Sequence, residues 1–351
     1  MMMCKELLQA RELPALPVAS SQEEWETLRQ KMLHTLCEVE YGAPVPAPKK
    51  LTAQVLAYNP RCFAGKAVFT RVLLTAEMEN GIFSFPVEAV IPKSAKPVPA
   101  FVWISFFGPI TNFHLPAEEV VDEGFAVFSF HYTDVTTDDN DFSTGLAGLL
   151  GPREEHSSGK LAMWAWAAMR VMDYIQELSY IDSQQVAVVG HSRLGKTALL
   201  AGALDPRFSL VISNNSGSCG AALSRGKEGE DIDHITEEFP FWFCPAYRKY
   251  AKKEKELPFD QHFLLALSAP RKVYVASAQE DPWADPVSEY LSCAAAAPAW
   301  EALGLPGFSG PDRLPAPGDT FSEGSIGYHL RAGGHDLTRV DWQKFMAFFR
   351  G

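Results

Sequence analysis

Residues 186–204 constrain this chain more than any other stretch, because they read as a strand, a glycine-flanked serine and a helix in direct succession. The run Val-Ala-Val-Val at 186–189 is small and β-branched, as a fully buried strand requires. It stops at Gly190, presents Ser192, passes Gly195 and enters the helix-forming run Thr-Ala-Leu-Leu-Ala-Gly-Ala-Leu at 197–204. A tight turn of this kind lifts a serine hydroxyl clear of a sheet. Glycines at its flanks leave room where a Cβ would collide with the neighbouring strand or helix. The spacing is Gly-x-Ser-x-x-Gly, with Leu194 standing where a second glycine is usual. Alone the motif is weak, since phosphate loops and ordinary strand–helix turns also produce Gly-x-Ser.

A serine nucleophile needs a base to take its proton and a carboxylate to hold that base in one tautomer. Residues 271–278, Arg-Lys-Val-Tyr-Val-Ala-Ser-Ala, read as the next-to-last strand, and Gln-Glu-Asp-Pro-Trp-Ala-Asp at 279–285 follows directly. Residues 326–330 read as a short strand, followed by a loop, Arg-Ala-Gly-Gly-His at 331–335, and an amphipathic helix over about 339–350. Serine, then an acid past one strand, then a histidine past the next is the order found in α/β-hydrolases. Asp281 is the preferred acid, because its turn can swing a carboxylate toward the histidine; Glu280 and Asp285 stand behind it. Asp285 precedes Pro286 and an alanine-rich run, the pattern of a helix N-cap with proline at the first helical position. Of the nine histidines, His335 follows two glycines on a loop free to place its ring over the serine. Its rival, His329, lies inside the short strand and is expected to pack or hydrogen-bond there.

The remaining segments predict the same class of fold. Ser-Gln-Glu-Glu at 21–24 reads as a capping box opening a helix through about Val39. A proline-rich link at 42–48 leads to strands near 51–58, 67–78, 82–92, 99–106 and 125–131. A helix over 160–178 crosses to the nucleophile strand. Segments 134–160 and 303–323 read as loops, and 225–265, rich in charge and aromatics, as a lid or pocket wall. The expectation is one α/β-hydrolase domain over 1–351, with 1–50 as an N-terminal helical extension. Its core would be a doubly wound, mostly parallel sheet with helices on both faces, a three-layer αβα sandwich. The site would lie at the carboxyl ends of the strands.

The stretch Gly-His-Ser-Arg-Leu-Gly-Lys at 190–196 resembles the Gly-x-Ser-Arg-x-Gly-Lys signature of the glucuronoyl esterases, carbohydrate esterase family 15. The likeness continues in order through blocks at 212–225, 229–230, 239–244, 257–262, 281–286 and 327–336. That resemblance implies a bacterial-type serine esterase that cleaves glucuronate esters, including 4-O-methyl-glucuronate esters of lignin alcohols, without a cofactor or metal. Ser192 would be the nucleophile and His335 the base, and Arg193 would stabilise the oxyanion through its N–H and guanidinium. Lys196 and Glu230 would hydrogen-bond sugar hydroxyls, and Trp283 would lie against the sugar ring. Two departures stand out. Many members carry a glutamate acid where this chain has Asn215, which places the acid at Asp281 instead. The cysteines that flank the catalytic pair in fungal members are His191 and Asp336 here, so their disulfide cannot form. A carbohydrate acetyl esterase and an inactive carbohydrate-binding member remain as alternatives.

Composition limits the partners. Hydrophobic content of 47% with 21% charged residues fits a globular protein. A net charge of −12 argues against nucleic acid and anionic membranes, and the resemblance implies a small-molecule or oligosaccharide ester as the partner. Any recognition of a uronate must then be local, through Arg193 and Lys196. The six cysteines lack zinc spacing. The N-terminus shows no signal-peptide core, and no apolar run reaches membrane-spanning length, so a cytoplasmic location is expected.

Overall fold

Period-two alternation along the central strands supplies two hydrophobic faces at once. On β6 (Ile181–His191), Val186 and Val188 point into one core, while Ala187 and Val189 point into the other. Phe101 and Trp103 alternate with Val102 and Ile104 in the same way on β4 (Val98–Ser105). A sheet apolar on both faces must be covered on both, which dictates a three-layer sandwich.

The computed structural model describes residues 3–351. Met1 and Met2, which begin the segment read as lacking a signal peptide, lie outside the described residues. The other strands are β1 (Lys50–Cys62), β2 (Ala67–Met78), β3 (Gly81–Pro92), β5 (Ala126–His131), β7 (Leu210–Asn214), β8 (Lys272–Ala278), β9 (Thr320–Phe321) and β10 (Ile326–Arg331). They form one ten-stranded sheet in the order β1-β2-β3-β5-β4-β6-β7-β8-β10-β9. From β5 to β10 neighbouring strands run parallel; β1, β2 and β3 pair antiparallel at one end, and β9 pairs antiparallel at the other.

The helices follow from the same burial. They are α1 (Cys4–Ala10), α2 (Gln22–Leu36), α3 (Ala117–Asp122), α4 (Lys160–Gln176) and α5 (Arg193–Leu204), then α6 (Ile232–Glu238), α7 (His262–Ala266), α8 (Pro286–Ala296), α9 (Pro298–Glu301) and α10 (Arg339–Arg350). α2, α4, α5 and α8 cover one face, and α3 and α10 cover the other. On α10, Trp342 is fully buried, meets Phe101 edge-on at 5.3 Å and donates Nε1–H to His114 O at 2.7 Å. Burying such a ring stabilises the fold by roughly 1.5–3 kcal/mol, with its polar edge satisfied.

Several expectations shift at their edges. Ser21 does cap α2, accepting from Glu24 N at 3.2 Å, but the α-helix ends at Leu36 and a π-helical turn, Cys37–Tyr41, continues it. β1 runs through Pro60 to Cys62, beyond the predicted end at 58; an edge strand tolerates a proline that a central one does not. The 303–323 segment read as loop contains β9. All six cysteines are free thiols.

Candidate active site

The geometry of residue 192 is the strongest local signal of chemistry. Ser192 caps α5 with φ 57° and ψ −128°, a backbone conformation that costs of order 1–3 kcal/mol and persists only when its surroundings enforce it. Those surroundings are tight. A Cβ on Gly190 would sit 1.9 Å from Leu194 O, and one on Gly195 would sit 3.0 Å from Ser216 Cβ. Gly190 thus lets the end of β6 meet the first turn of α5, and Gly195 lets α5 approach the loop after β7. The Arg193 N–H belongs to the first turn of α5, where the helix itself offers no acceptor.

Three strand ends converge on that serine. Asp281 follows β8, His335 follows β10, and both line a cavity of about 310 Å³ together with Ser192. His335 Nδ1 and Asp281 Oδ2 are 2.6 Å apart, so the carboxylate accepts from the Nδ1–H tautomer. That leaves Nε2 as the basic nitrogen, the arrangement a base needs. No hydrogen bond joins Ser192 Oγ to His335 among the described residues; such contacts are often long before substrate binds. Asp281 also accepts from Asn215 Nδ2 at 3.0 Å and from Ala284 N at 3.2 Å. Burial pushes its carboxyl up, but the bonds and charge of His335 and the Asn215 amide outweigh it and hold the group below its ordinary value.

The competing candidates resolve by burial and partners. Glu280 is exposed. Asp285 caps α8, accepting from Ser288 N at 3.0 Å with Pro286 in the first turn, as its sequence context predicts. His329 is buried between Asp341 Oδ1, at 2.8 Å, and Tyr274 OH, at 3.0 Å, away from the cavity. His329–Asp341 thus has the look of a catalytic dyad but no access to substrate.

Arg193, Lys196, Glu230 and Trp283 all line the same cavity. Lys196 Nζ donates to Ser216 O at 2.6 Å and lies 3.5 Å from Glu230 Oε2, giving one donor and one acceptor side by side. Trp283 is 53% exposed, so it is not a core residue. Lys227 Nζ and Glu230 N both donate to its carbonyl, tying the segment after β8 to the start of the predicted 225–265 wall. From that wall His234, Glu238, Phe239 and Trp242 also face the cavity. The sequence offered Phe239 and Trp242 only as part of an aromatic block, and gave no signal for His234.

Other residues hold the loop that carries His335 without touching the cavity. Arg331 Nη2 donates to Gly334 O at 2.9 Å and Asp336 O at 2.6 Å, bracketing His335. Asp336 also meets His114 Nε2 at 3.0 Å, and the His191 ring lies 4.6 Å from that of His335. Burial first, and the nearby His335 second, push His191 down to about 3, so it is a neutral ring at working pH. Among the described residues no group of three or more His, Cys, Asp or Glu is placed to hold a metal, and no helix is long and apolar enough to cross a membrane.

Beneath the cavity floor, Glu289 accepts from Gly217 N at 2.9 Å and Ser277 Oγ at 2.6 Å, and burial raises its carboxyl to about 7. A carboxyl raised in the folded state contributes its full stability below the ordinary value of ~4.3, and loses it as pH rises through about 7. Glu289→Gln should therefore raise Tm by a few degrees at pH ~8 and change it little at pH ~5. Thermal melts at the two pH values check this; an equal shift at both would contradict it.

Residues 74–304 match the family model described as glucuronyl esterase, fungi. A carbohydrate esterase from an unknown prokaryotic organism is 42% identical over 236 residues, covering 66% of this chain and 54% of its own length. The 4-O-methyl-glucuronoyl methylesterase of Podospora anserina is 30% identical over 302 residues, covering 81% of this chain and 58% of its own length. The chain thus spans little more than half the length of these curated relatives. A solved glucuronoyl esterase from Solibacter usitatus superposes with a TM-score of 0.87 at 31% identity, covering 97% of this chain and 99% of that one.

Proposed function

The chain belongs to the glucuronoyl esterase family, and from that premise we propose that it is a serine esterase hydrolysing a glucuronoyl ester, in particular a 4-O-methyl-glucuronate ester. The observation that carries the proposal is the His335–Asp281 pair set beside Ser192, in a cavity also lined by the Arg193 side chain, the adjacent Lys196 and Glu230, and an exposed indole. Ser192 Oγ attacks the ester carbonyl while His335 Nε2 takes its proton. Asp281 stabilises the imidazolium that results. Negative charge gathers on the former carbonyl oxygen, where the Arg193 N–H and guanidinium meet it; one such donor is worth ~10²–10³ in rate. His335 then returns the proton to the departing alcohol, leaving an acyl group on Ser192. Water, deprotonated by the same histidine, releases the uronic acid.

Lys196 and Glu230 supply complementary hydrogen bonds to ring hydroxyls, and Trp283 offers an apolar face to the sugar. With a net charge of −12, the protein has no broad attraction for anionic polymers, so recognition falls to these local groups.

A side-by-side assay on a methyl glucuronate ester, acetylated xylobiose and p-nitrophenyl acetate tests the reading. The expected preference is for the glucuronate ester. Activity on acetyl esters alone would make the protein a carbohydrate acetyl esterase. No activity on any of them would leave a carbohydrate-binding member.

A further inference from the structure

Asp138 lies in the 134–160 segment, which carries no recognisable motif, yet donors from three separate parts of the chain converge on its carboxylate. Oδ1 accepts from Trp242 Nε1 at 2.7 Å, while Oδ2 accepts from Tyr132 OH at 3.0 Å and from Arg193 Nη1. The Arg193 guanidinium is packed as well as paired. It lies 4.6 Å from the Trp242 ring centre and 5.4 Å from that of Phe239, two rings stacked on each other at 4.0 Å. Among the described residues Nη2 makes no hydrogen bond, although Arg193 lines the cavity.

The segment bearing Asp138 is itself anchored. Lys160, the first residue of α4, has a fully buried side chain. Its Nζ donates to Thr137 O at 2.7 Å, Thr137 Oγ1 at 2.9 Å, Asp141 O at 2.7 Å and Asp139 Oδ1 at 3.3 Å. A buried ammonium is costly unless it is fully ligated, and here every ligand comes from the few residues flanking 138.

We propose that Asp138 is a positioning residue for the esterase reaction: it orients the Arg193 guanidinium for the oxyanion, and Lys160 locks the loop that makes this possible. The proposal rests on the role assigned to Arg193 above. The physical reason is preorganisation. A free arginine side chain carries about 2 kcal/mol of rotamer entropy, and a donor that must find its place during the reaction stabilises the transition state less than one already set.

The test is a double-mutant comparison on a methyl glucuronate ester, with Asp138→Asn, Arg193→Gln and both together. Asn keeps the shape of Asp138 and can still accept from Trp242, but it loses the charge that holds Arg193. Asp138→Asn should lower kcat by ~10- to 100-fold with KM little changed, the scale expected for a misplaced catalytic group. In the Arg193→Gln background it should cost nothing further. A wild-type kcat in Asp138→Asn, or a loss that adds in full to that of Arg193→Gln, would overturn the proposal, because a merely structural role does not act through Arg193. If Asp138→Asn does not fold, Tyr132→Phe removes one donor to Asp138 and leaves the rings packed on the guanidinium in place. A smaller kcat loss that vanishes in the Arg193→Gln background supports the proposal; no loss, or one independent of Arg193, overturns it. Wild type and Ser192→Ala run in parallel separate the two levels: a wild type inactive on every ester sinks the esterase reading, and hydrolysis that survives Ser192→Ala removes Ser192 as the nucleophile on which the role of Arg193 rests.

Discussion

Replacing Ser192 by alanine is expected to abolish hydrolysis of aryl and methyl esters without unfolding the protein. Loss of a serine nucleophile in a triad costs ~10⁶ in kcat. The fold should tolerate the change, because the strained φ of 57° arises from the packing around Gly190 and Gly195, not from the hydroxyl. Alanine carries the same Cβ and meets the same backbone penalty. Product release from p-nitrophenyl acetate and a thermal melt give the two readouts. Activity above a few per cent of wild type, in a protein that melts normally, would falsify the assignment of Ser192 as nucleophile.

The second large effect is at the acid. Asp281→Asn should leave folding intact and depress kcat by ~10⁴, since an amide donating to His335 Nδ1 favours the wrong tautomer. Asp285→Asn is the control. Asparagine caps helices about as well as aspartate, so α8 should hold and kcat should change little. Asn215→Glu completes the set. In the wild-type background it brings a second carboxylate against Asp281, replacing the amide that now donates to it at 3.0 Å, and should slow the reaction. In the Asp281→Asn background the same change restores an acid near His335 and should recover part of the lost rate. Steady-state kinetics on one ester decide among these. Equal losses in Asp281→Asn and Asp285→Asn would remove Asp281 from the role.

Much of the fold was legible because its determinants are local. The end of β6, Gly190 and the start of α5 follow one another in the chain, so their steric logic can be read without knowing what lies across the sheet. The same holds for α10, whose apolar stripe spans the predicted 339–350, and for Asp285, whose capping role depends on its immediate neighbours. The misplaced boundaries fall where the local signal is weakest. β1 is exposed along almost its whole length, so no alternating burial marks its end. The turn after α2 stays helical through Tyr41, a residue held by burial and by a bond from its hydroxyl to Cys219 O.

By itself the sequence determined the strand–serine–helix turn, whose residues are adjacent in the chain, and it placed an acid and a histidine just past the strands that follow. It read Asp285 as a cap and ranked Asp281 ahead of Glu280, but it could not show what surrounds those two carboxylates, and a carboxylate shows its role only through its surroundings. Tertiary structure left Glu280 in solvent, used Asp285 as a cap and buried Asp281 against His335, 54 positions away. It likewise joined Asp138 to Arg193 across 55 positions and to Trp242 across 104. Such pairings have no periodicity or spacing to betray them. They exist because chain closure brings distant loops to the same ends of parallel strands, where a buried charge must find its partner.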